Sequence, residues 1–352
     1  MTNSLDERLV EGVTAALEVY GVHLGRALAL YAPLADRGPL TAVELADAAG
    51  IDDRCAREWL EQQAVAGYLV VDDPSRPAEQ RHYALPPEHV GVLVDVDNAA
   101  HVSPLADMVA GIGQVLPEVV ESYRTGAGVP YRRYGQDFRR GQGGVNRPAF
   151  SRDLTEVWLP ALPDLHSALG RPGARIADLG CGLGFSTIAL AKAYPDADVV
   201  GIDSDPPSID EARELARQAG VRVQYVAADA AEVAAQGPFD AVVILEALHD
   251  MARPVEALRA AQKGLAEGGC VVVVDERVQA EFTAPGDLVE RMMYGWSISH
   301  CLPTQLAEEP SAAIGTLLRA SHVASLAEEA GFAHFEETDI DAGFFRVYRL
   351  LP

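Results

Sequence analysis

The sequence is poor in basic residues and in long apolar runs, and each shortage argues against a class of protein. Its 352 residues include 28 lysines and arginines against 52 acidic residues, a formal net charge of −24. Such a surface does not attract phosphate backbones or anionic lipid, so nucleic acid and membranes are unexpected partners. No apolar run approaches the roughly 20 residues that span a bilayer, which argues against a transmembrane helix.

Cysteines are also few, and they are scattered. The four lie at Cys55, Cys181, Cys270 and Cys301 without a C-x-x-C pair, which argues against a disulfide framework or a structural zinc site. No clustered set of His, Asp and Cys ligands stands out, so the sequence predicts no metal site, while a metal bound together with substrate stays an open alternative. The first residues, MTNSLDERLVEG, are acidic where a signal peptide would be basic. A cytoplasmic protein is therefore expected.

The length suits two domains, and an apolar fraction of 49% is enough for a sizeable core. We expect a mainly helical domain over residues 1–100 and a helical linker with a lid over 101–169. A third segment, 170–352, alternates strands and helices and is expected to form an α/β domain.

The N-terminal region resembles a winged helix. After two predicted helices in residues 5–35, Thr41 with Glu44 forms a capping pattern, Gly50 predicts a turn, and 54–66 predicts a second helix. The segment RHYALPPEH can supply a wing strand. Between Thr41 and Asp72 there are seven acids against two arginines, which disfavours DNA binding. The alternative is that this module forms a dimer interface and covers an active site.

Residues 123–150 interrupt a helical pattern with glycines, aromatic residues and arginines. Long loops in compact proteins are commonly functional or disordered, and the aromatic residues favour function. We therefore expect a lid or a substrate-pocket segment here, in which Tyr134 and Phe150, with Asp137 and Asn146, are the candidates. The alternative is that Tyr134 and Phe150 are ordinary core residues.

The stretch from Arg175 to Asp203 predicts a strand, a glycine turn, a helix and a second strand. The turn has the form Gly180-x-Gly182-x-Gly184, which allows backbone to approach a ligand at the N-terminus of a helix. Asp203, at the end of the second strand, is placed to accept hydrogen bonds from a ribose diol. These features favour an adenosine-containing cofactor, although a tight turn without a ligand is the alternative.

Two residues distinguish this turn from a site for a nicotinamide dinucleotide. The third glycine of the G-x-G-x-x-G fingerprint is replaced by Phe185, and Asp178 lies two residues before the turn's first glycine. A carboxylate there would repel a pyrophosphate and attract an ammonium group. The predicted cofactor is therefore S-adenosylmethionine.

The motifs DLGCGLG, VVGID and VAADA resemble those of the class I S-adenosylmethionine-dependent methyltransferases. The resemblance implies a Rossmann-like domain with a seven-stranded sheet, preceded by a mainly α winged-helix domain. It places Asp178 near the methionine amino group of the cofactor and Asp203 on the ribose hydroxyls. The full set of implied cofactor-binding residues is Asp178, Gly180, Gly182, Gly184, Asp203, Ser204, Asp229 and Ala230, with Asp229 beside the adenine amine.

The fourth predicted strand covers Phe239 to Leu245. The catalytic candidates His249 and Glu246 follow its end. The stretch LHDM resembles the LHDW of small-molecule O-methyltransferases, in which the histidine is a general base, with Met251 as the departure. Glu246, expected one helical turn earlier, would contact the cofactor or orient the acceptor. Asp275 and Glu276 can hold the tautomer of His249. The alternative is that His249 caps the next helix.

A further cluster lies in residues 276–303 and resembles a segment of actinobacterial proteins with a winged helix before a methyltransferase domain. Its pocket candidates are Arg291, Tyr294, Trp296, His300 and Cys301. Spaced Met and aromatic residues on a helix are also common in protein cores, so that alternative stays open.

The sequence as a whole predicts a methyltransferase that acts on a small organic molecule, such as a specialised metabolite. The resemblance also implies a homodimer. Transfer to carbon or nitrogen without a histidine base is one alternative. Another is a winged-helix transcriptional regulator that binds S-adenosylmethionine without turnover, and a third is non-methylating chemistry on the same fold.

Overall fold

The computed structural model describes residues 4–352 and divides them into two compact units. Unit 1 contains the chain up to Gly113 together with Gln136–Pro148, and unit 2 contains Gln114–Gly135 and Ala149–Pro352. The stretch 101–169, expected to be a segment of its own, is thus shared between the two units.

Unit 1 is mainly helical. Its core consists of apolar residues from several short elements, including Leu30, Leu34, Leu45, Trp59 and Leu60. The helices are α1 (Leu5–Ala27), α2 (Tyr31–Arg37), α3 (Ala42–Ala49), α4 (Asp53–Val65), α5 (Pro87–Leu93), the first part of α6 (Leu105–Thr125) and α7 (Gly135–Pro148), with a two-stranded sheet of β1 (Val70–Val71) and β2 (Tyr83–Ala84).

The helix-turn-helix and its wing form as the sequence predicted. Thr41 and Glu44 make a reciprocal capping box at the start of α3, and Gly50 ends that helix in the left-handed conformation, with φ of 68°. Asp52 then caps α4 by accepting a hydrogen bond from the Cys55 N–H. β1 and β2 pair antiparallel, so the segment around Tyr83 does supply the wing strand.

The expectation of a long loop within residues 123–150 is wrong for most of that stretch. Residues 131–134 form a 3₁₀ turn, and Gly135–Pro148 is α-helical and runs into a π-helix over Ala149–Trp158. Glycine is tolerated here because it lets backbone pack closely: a Cβ on Gly141 would lie 2.8 Å from Cγ of Met108. Burial of Phe138 supplies the apolar contact that the helix needs.

Unit 2 is built around a seven-stranded sheet with the strand order β5-β4-β3-β6-β7-β9-β8. β3 to β7 are parallel, whereas β9 and β8 close the edge antiparallel. The strands are β3 (Arg175–Leu179), β4 (Asp198–Asp203), β5 (Gln224–Ala227), β6 (Phe239–Leu245), β7 (Leu265–Glu276), β8 (His334–Glu337) and β9 (Phe345–Leu351).

The helices of unit 2 connect these strands and cover both faces of the sheet. They are, after the remainder of α6, α8 (Pro163–Leu169), α9 (Phe185–Ala193), α10 (Pro206–Ala219), α11 (Pro254–Lys263), α12 (Leu288–Trp296), α13 (Leu302–Leu306) and α14 (Ala320–Ala330), with 3₁₀ turns at Ala230–Gln236 and Leu248–Asp250 and a π-helix at Ser297–Cys301.

Alternating side chains of the central strands enter two separate cores, which is the pattern of a sheet buried on both faces. Ala177, Val242 and Ile244 pack on one face with residues of α11 and α14. Ile176 and Val243 pack on the other face with α8, α9 and the π-helix at 149–158. Because the carboxyl ends of the parallel strands lie at one edge, the loops that follow β3, β4 and β6 meet there.

None of the helices between residues 4 and 352 combines the length and the hydropathy of a segment that crosses a membrane.

Candidate active site

The glycine turn links β3 to α9, and its backbone requires glycine at all three positions. Gly180, Gly182 and Gly184 have φ angles of 78°, 51° and 75°, in the left-handed region that other residues rarely adopt. A Cβ on Gly184 would lie 2.3 Å from the Tyr225 hydroxyl oxygen, while a Cβ on Gly182 would find open space within 4 Å. The turn is therefore tightly packed at its end and open in its middle.

Asp178 lies at the end of β3 with only 1% of its surface exposed. Its Oδ2 accepts hydrogen bonds from the hydroxyls of Ser186 and Thr187, each at 2.6 Å. Burial raises the pKa of Asp178 to about 6 despite these donors, with a further contribution from Asp203. Ser186 and Thr187 were not predicted from the sequence as site residues, although hydroxyls in the first turn of the helix after a glycine turn are a usable signal.

Asp203 fixes the glycine turn to the end of β4. Its two carboxylate oxygens accept from the backbone N–H groups of Gly182 and Asp205, both at 2.8 Å. Burial raises the pKa of Asp203 as well, and the nearby Asp205 carboxylate adds to that shift.

The charge and the open space at this turn fit S-adenosylmethionine. Two carboxyl groups, those of Asp178 and Asp203, are brought close enough to raise a pKa, beside a turn that is open at Gly182. A ligand with a sulfonium and an ammonium group would relieve that charge, whereas a pyrophosphate would add to it. The same turn is therefore poorly suited to a dinucleotide.

The other residues predicted to bind the cofactor lie after β4 and β5. Ser204 is exposed, and Ala230 is partly buried at the edge of the core. Asp229 caps the 3₁₀ turn that follows β5, accepting from the Ala231 N–H at 2.8 Å. Its other oxygen forms an ion pair with Arg253. Arg253 is a site residue that the sequence did not point to, since it lies 24 positions away.

His249 lies in the 3₁₀ turn after β6 and is 3% exposed. Its Nδ1 is 2.8 Å from Oδ1 of Asp275, at the end of the neighbouring strand β7, and 3.4 Å from Oε2 of Glu276. The sequence expectation that these acids hold the ring is thus met by their positions. The following helix α11 has Arg253 as its N-cap, so the alternative that His249 caps it is wrong.

The electrostatics of this cluster favour an ion pair. Burial alone would lower the pKa of His249, but the carboxylates of Asp275, Glu276 and Asp250 outweigh burial and raise it well above its usual range. In return, the ring lowers the pKa of Asp275 against the opposing effect of burial. Burial raises the pKa of Glu276, so that residue holds a proton more firmly than its neighbour.

Glu246 does not lie one helical turn before His249, as the sequence interpretation had it. It follows β6 with φ of 47°, a left-handed conformation that is uncommon for glutamate and that does not belong to a right-handed helical turn. Burial raises the pKa of Glu246 to about 7, with the nearby His249 opposing that shift. Non-glycine residues with such backbones cluster at functional sites.

The loop that carries His249 packs directly against the glycine turn. A Cβ on Gly180 would lie 2.6 Å from Cβ of Ala247, so the absence of a side chain at Gly180 is what permits the contact. The two catalytic candidates, Glu246 and His249, flank Ala247 on that loop. Cofactor and catalytic candidates are therefore brought together at one edge of the sheet.

The six residues predicted to bind substrate do not form one group. Tyr134 and His300 are brought together: their ring centroids are 4.7 Å apart, and both side chains are buried. Phe150 instead packs in the core with Trp158 and Phe345, in agreement with the alternative for that residue.

Three further substrate candidates lie on α12, and their side chains differ in burial. Arg291 and Tyr294 are exposed, whereas Trp296 is partly buried. The residues of this segment that face inward include Glu290, Met293 and Ser297. Glu290 forms a buried ion pair with Arg319 at 3.1 Å.

Gln305 of α13 is a further residue that the sequence did not indicate. It is 1% exposed, its Nε2 donates to the backbone oxygen of His249, and its Oε1 accepts from the Gly315 N–H at 3.0 Å. It therefore joins the segment after α12 to the His249 loop. A lone glutamine gives no signal in the sequence, because its partners are 56 and 10 residues away.

Family comparisons match two parts of the chain. Residues 171–331 match the family described as a methyltransferase domain, and residues 15–94 match the Rv2258c-like winged HTH domain. The first range contains the glycine turn, the His249 loop and α12.

The individual relatives of known name are also methyltransferases. The ubiquinone biosynthesis O-methyltransferase of Cereibacter sphaeroides is 37% identical over 110 residues, which is 31% of this chain and 44% of that protein. The demethylmenaquinone methyltransferase of Thermus thermophilus is 36% identical over 128 residues, 36% of this chain and 56% of that protein. The chain thus spans about half the length of the curated relatives it matches.

Solved structures share the fold over nearly the whole chain. Mitomycin 7-O-methyltransferase aligns with a TM-score of 0.69 and 21% identity, covering 98% of this chain and 97% of that one. Human N-acetylserotonin methyltransferase, solved with S-adenosylmethionine, aligns with a TM-score of 0.69 and 15% identity over 99% and 98% of the two chains. Together with the matched families, these likenesses show that the chain carries a methyltransferase domain of the class I S-adenosylmethionine-dependent fold, preceded by an Rv2258c-like winged HTH domain.

Proposed function

We propose that the protein transfers a methyl group from S-adenosylmethionine to a small organic molecule, with His249 as the proton acceptor. One observation carries the proposal: the hydrogen-bonded pair of His249 and Asp275 lies on a loop that packs against the glycine turn through Ala247 and Gly180. A methyl donor held at that turn would have a buried imidazole within the same site.

In this proposal the cofactor is held by the residues that the sequence indicated. Asp178 and Asp203 supply the negative charge, and the open middle of the turn at Gly182 admits the ligand. Ser204, Asp229 and Ala230 line the remainder, with Asp229 fixed by Arg253. When bound, S-adenosylmethionine supplies an electrophilic methyl group on its sulfonium.

The chain's own contribution is to hold the acceptor and to remove its proton. Asp275 accepts the hydrogen bond from Nδ1 of His249, which leaves Nε2 as the nitrogen that can take a proton from an O–H acceptor. Only the neutral ring can do so, and because the carboxylates raise the pKa of His249, the fraction of molecules with a neutral ring, and with it turnover of an O–H acceptor, should grow as the pH rises. Glu246, held in a left-handed conformation beside this ring, is proposed to orient the acceptor.

The proposed acceptor site includes Tyr134 and His300, with Arg291, Tyr294 and Trp296 along α12. Relatives and structural neighbours named as O-methyltransferases support oxygen as the acceptor atom. The neighbour that acts on mitomycin supports a role in specialised metabolism.

The first experiment is calorimetric titration of the full chain with S-adenosylmethionine, S-adenosylhomocysteine and NAD. We expect micromolar binding of the two sulfur compounds and none of NAD. Asp203→Ala should lose roughly 1–3 kcal/mol of binding free energy, because the ribose hydroxyls lose their acceptor. Asp198→Ala, at the exposed beginning of the same strand, is the control. Unchanged affinity in Asp203→Ala would refute the cofactor assignment.

The base is tested separately, in a screen of phenolic, amine and carbon acceptors. His249→Ala should keep cofactor affinity and lose turnover with an O–H acceptor by about 10² to 10⁴. His322→Ala, an exposed histidine, should retain wild-type turnover. Full turnover by His249→Ala would favour the alternative of transfer to carbon or nitrogen without a histidine base.

The winged helix keeps open the second candidate function, a regulator that senses S-adenosylmethionine. The charges oppose it, since both arginines of α4 are in ion pairs, Arg54 with Glu58 and Arg57 with Glu79. A gel shift with genomic fragments at low salt decides between them: specific binding would favour the regulator.

We further propose that the protein is a homodimer formed through α1. This helix exposes an apolar stripe at a spacing of three to four residues, the pattern of a helix face that packs on a partner. The stripe consists of Leu5, Leu9, Val13, Leu17, Tyr20, Leu24 and Leu28. Light scattering should show a dimer that Leu9→Glu with Leu17→Glu dissociates, whereas Val65→Glu, at an isolated exposed valine, should not. A wild-type monomer would refute the proposal.

A cytoplasmic location completes the proposal. It is supported by the four cysteines, all of which are free thiols. Fractionation of the native host should recover the protein in the cytosol.

A further inference from the structure

Three different metal-binding groups come together where the loop that carries His249 meets the π-helix over Ser297–Cys301. One ring nitrogen of His249, a carboxylate oxygen of Asp250 and Sγ of Cys301 all lie within 4.8 Å of one another. Nε2 of His249 is 3.5 Å from Oδ1 of Asp250. In a tetrahedral zinc site with bonds of about 2.0–2.3 Å, neighbouring ligand atoms are roughly 3.3–3.7 Å apart. The His249–Asp250 edge already has that length.

A second feature supports a site for a metal rather than a chance cluster. Nδ1 of His249 is held by Asp275 at 2.8 Å, which directs Nε2 away from that acid. Metal-ligating histidines almost always have such a partner on their other nitrogen, because it fixes the ring and raises its basicity as a ligand. The same arrangement that prepares a base therefore also prepares a metal ligand.

Cys301 reaches the His249 ring from a different element of the chain. It ends the π-helix over Ser297–Cys301, where Nδ1 of His300 lies 3.4 Å from its Sγ. The side chain of Cys301 is buried. Asp250 is the least buried member, with 23% of its side chain exposed, although its Oδ1 is itself buried.

A neighbouring group of one histidine and two acids is less suitable as a zinc site. His249, Asp275 and Glu276 also lie close together, but their side chains are only 1–3% exposed and Nδ1 is already used in the hydrogen bond. The set with Cys301 offers one nitrogen, one oxygen and one sulfur. That combination suits a borderline ion such as Zn²⁺ and not Mg²⁺ or Ca²⁺, which prefer oxygen ligands alone.

We propose that His249, Asp250 and Cys301 form a reversible zinc site that inhibits the protein by occupying Nε2 of His249. Binding forms a Zn–S bond and a Zn–N bond, and it releases to solvent the thiol proton of Cys301 and the proton that the imidazolium of His249 carries on Nε2. The fourth position of the ion stays open to water. The inhibition rests on the proposed function, since it assumes that His249 is the base, but zinc binding itself does not.

The binding test uses the full chain after treatment with a chelator. Calorimetry with ZnCl₂ should show one ion bound per chain with micromolar or tighter affinity, and proton release should appear as a dependence of the heat on the buffer. Titration with Co²⁺ should give the charge-transfer absorption of a cobalt–thiolate bond. MgCl₂ should give no binding, and wild-type protein that binds no zinc would overturn the proposal.

Matched variants locate the ion. Cys301→Ser should abolish the cobalt–thiolate band and weaken zinc binding by about 100-fold or more, while Asp250→Asn, at a partly exposed position, should weaken it by about 10-fold. Cys55→Ser removes the exposed thiol and should change neither. Thermal melts followed by circular dichroism show whether each variant is folded. Binding lost in Cys55→Ser, or kept in both Cys301→Ser and Asp250→Asn, would overturn the assignment.

Inhibition is read out once an acceptor is found. Zinc should inhibit turnover of the wild type at the concentration at which it binds, and Asp250→Asn should need about 10-fold more. If zinc binds and turnover is unaffected, the inhibition is refuted while the site stands. If no acceptor is methylated, the proposed function fails and the binding results still decide the site.

Discussion

Replacing Asp178 with asparagine should stabilise the protein at neutral pH while it weakens cofactor binding. Asp178 is 1% exposed, and burial raises its pKa from the ordinary value of 3.8 to about 6. The folded state therefore binds a proton more tightly at this residue than the unfolded state does. Between these two pH values, stability falls as the pH rises, because folding requires a carboxylate to be buried.

The size of the effect follows from the shift. A difference of about 2 pKa units, at 1.36 kcal/mol per unit, corresponds to about 3 kcal/mol at pH 7.5. At pH 4.5, where the folded carboxyl is protonated, the same linkage leaves about 1 kcal/mol. Asparagine does not titrate, and its amide oxygen can still accept from Ser186 and Thr187. Asp178→Asn should thus gain about 2 kcal/mol on the wild type between pH 4.5 and pH 7.5.

Urea denaturation at several pH values measures this difference. Asp196→Asn, at an exposed position after α9, is the control and should follow the wild type at every pH. Calorimetry of the same proteins should show that Asp178→Asn binds S-adenosylmethionine about 10-fold or more weakly, because the cofactor's ammonium loses a charged acceptor. A stability difference that is independent of pH would refute the reasoning about burial, and unchanged affinity would refute the role in binding.

Two further substitutions test the packing around the site. Gly184→Ala places a Cβ 2.3 Å from the Tyr225 hydroxyl at a left-handed backbone, so it should cost about 2–4 kcal/mol of unfolding free energy in urea denaturation, against about 1 kcal/mol for Gly220→Ala, which meets open space. Arg319→Met leaves Glu290 charged at 1% exposure and should cost about 3–5 kcal/mol. Adding Glu290→Leu should recover much of that loss in thermal melts, and a double variant as unstable as Arg319→Met would contradict the charge explanation.

Local signals in the sequence were enough for the part of the site that we propose binds the cofactor. The turn was predicted from three alternating glycines, an acid before them and an acid at the end of the next strand. The structure contains this turn, with positive φ at each of the three glycines. The capping box at Thr41 and the turn at Gly50 were predicted for the same reason. Such features depend on residues a few positions apart, whose backbone preferences act in almost any context.

The helix α7 and the backbone of Glu246 could not be predicted in this way. Glycine-rich sequence in 135–148 favours a loop by its local propensity, but burial of Phe138 and the close approach of Gly141 to Met108 stabilise a helix. Glu246 was placed in a helical turn, whereas its φ is 47° and the next residue, Ala247, packs against Gly180. Tertiary contacts outweighed local preference in both cases.

The sequence by itself thus determined the residues of the glycine turn, and its resemblance to a known family implied the seven-stranded sheet. Only the tertiary structure decided what surrounds His249. The strand order places Asp275 beside its Nδ1, and the segment after α12 brings Cys301 close to it, although these residues lie 26 and 52 positions further along the chain. The physical reason is that hydrogen bonds and burial act over ångströms in space, and a pairing across the sheet leaves no trace in the spacing of residues along the chain.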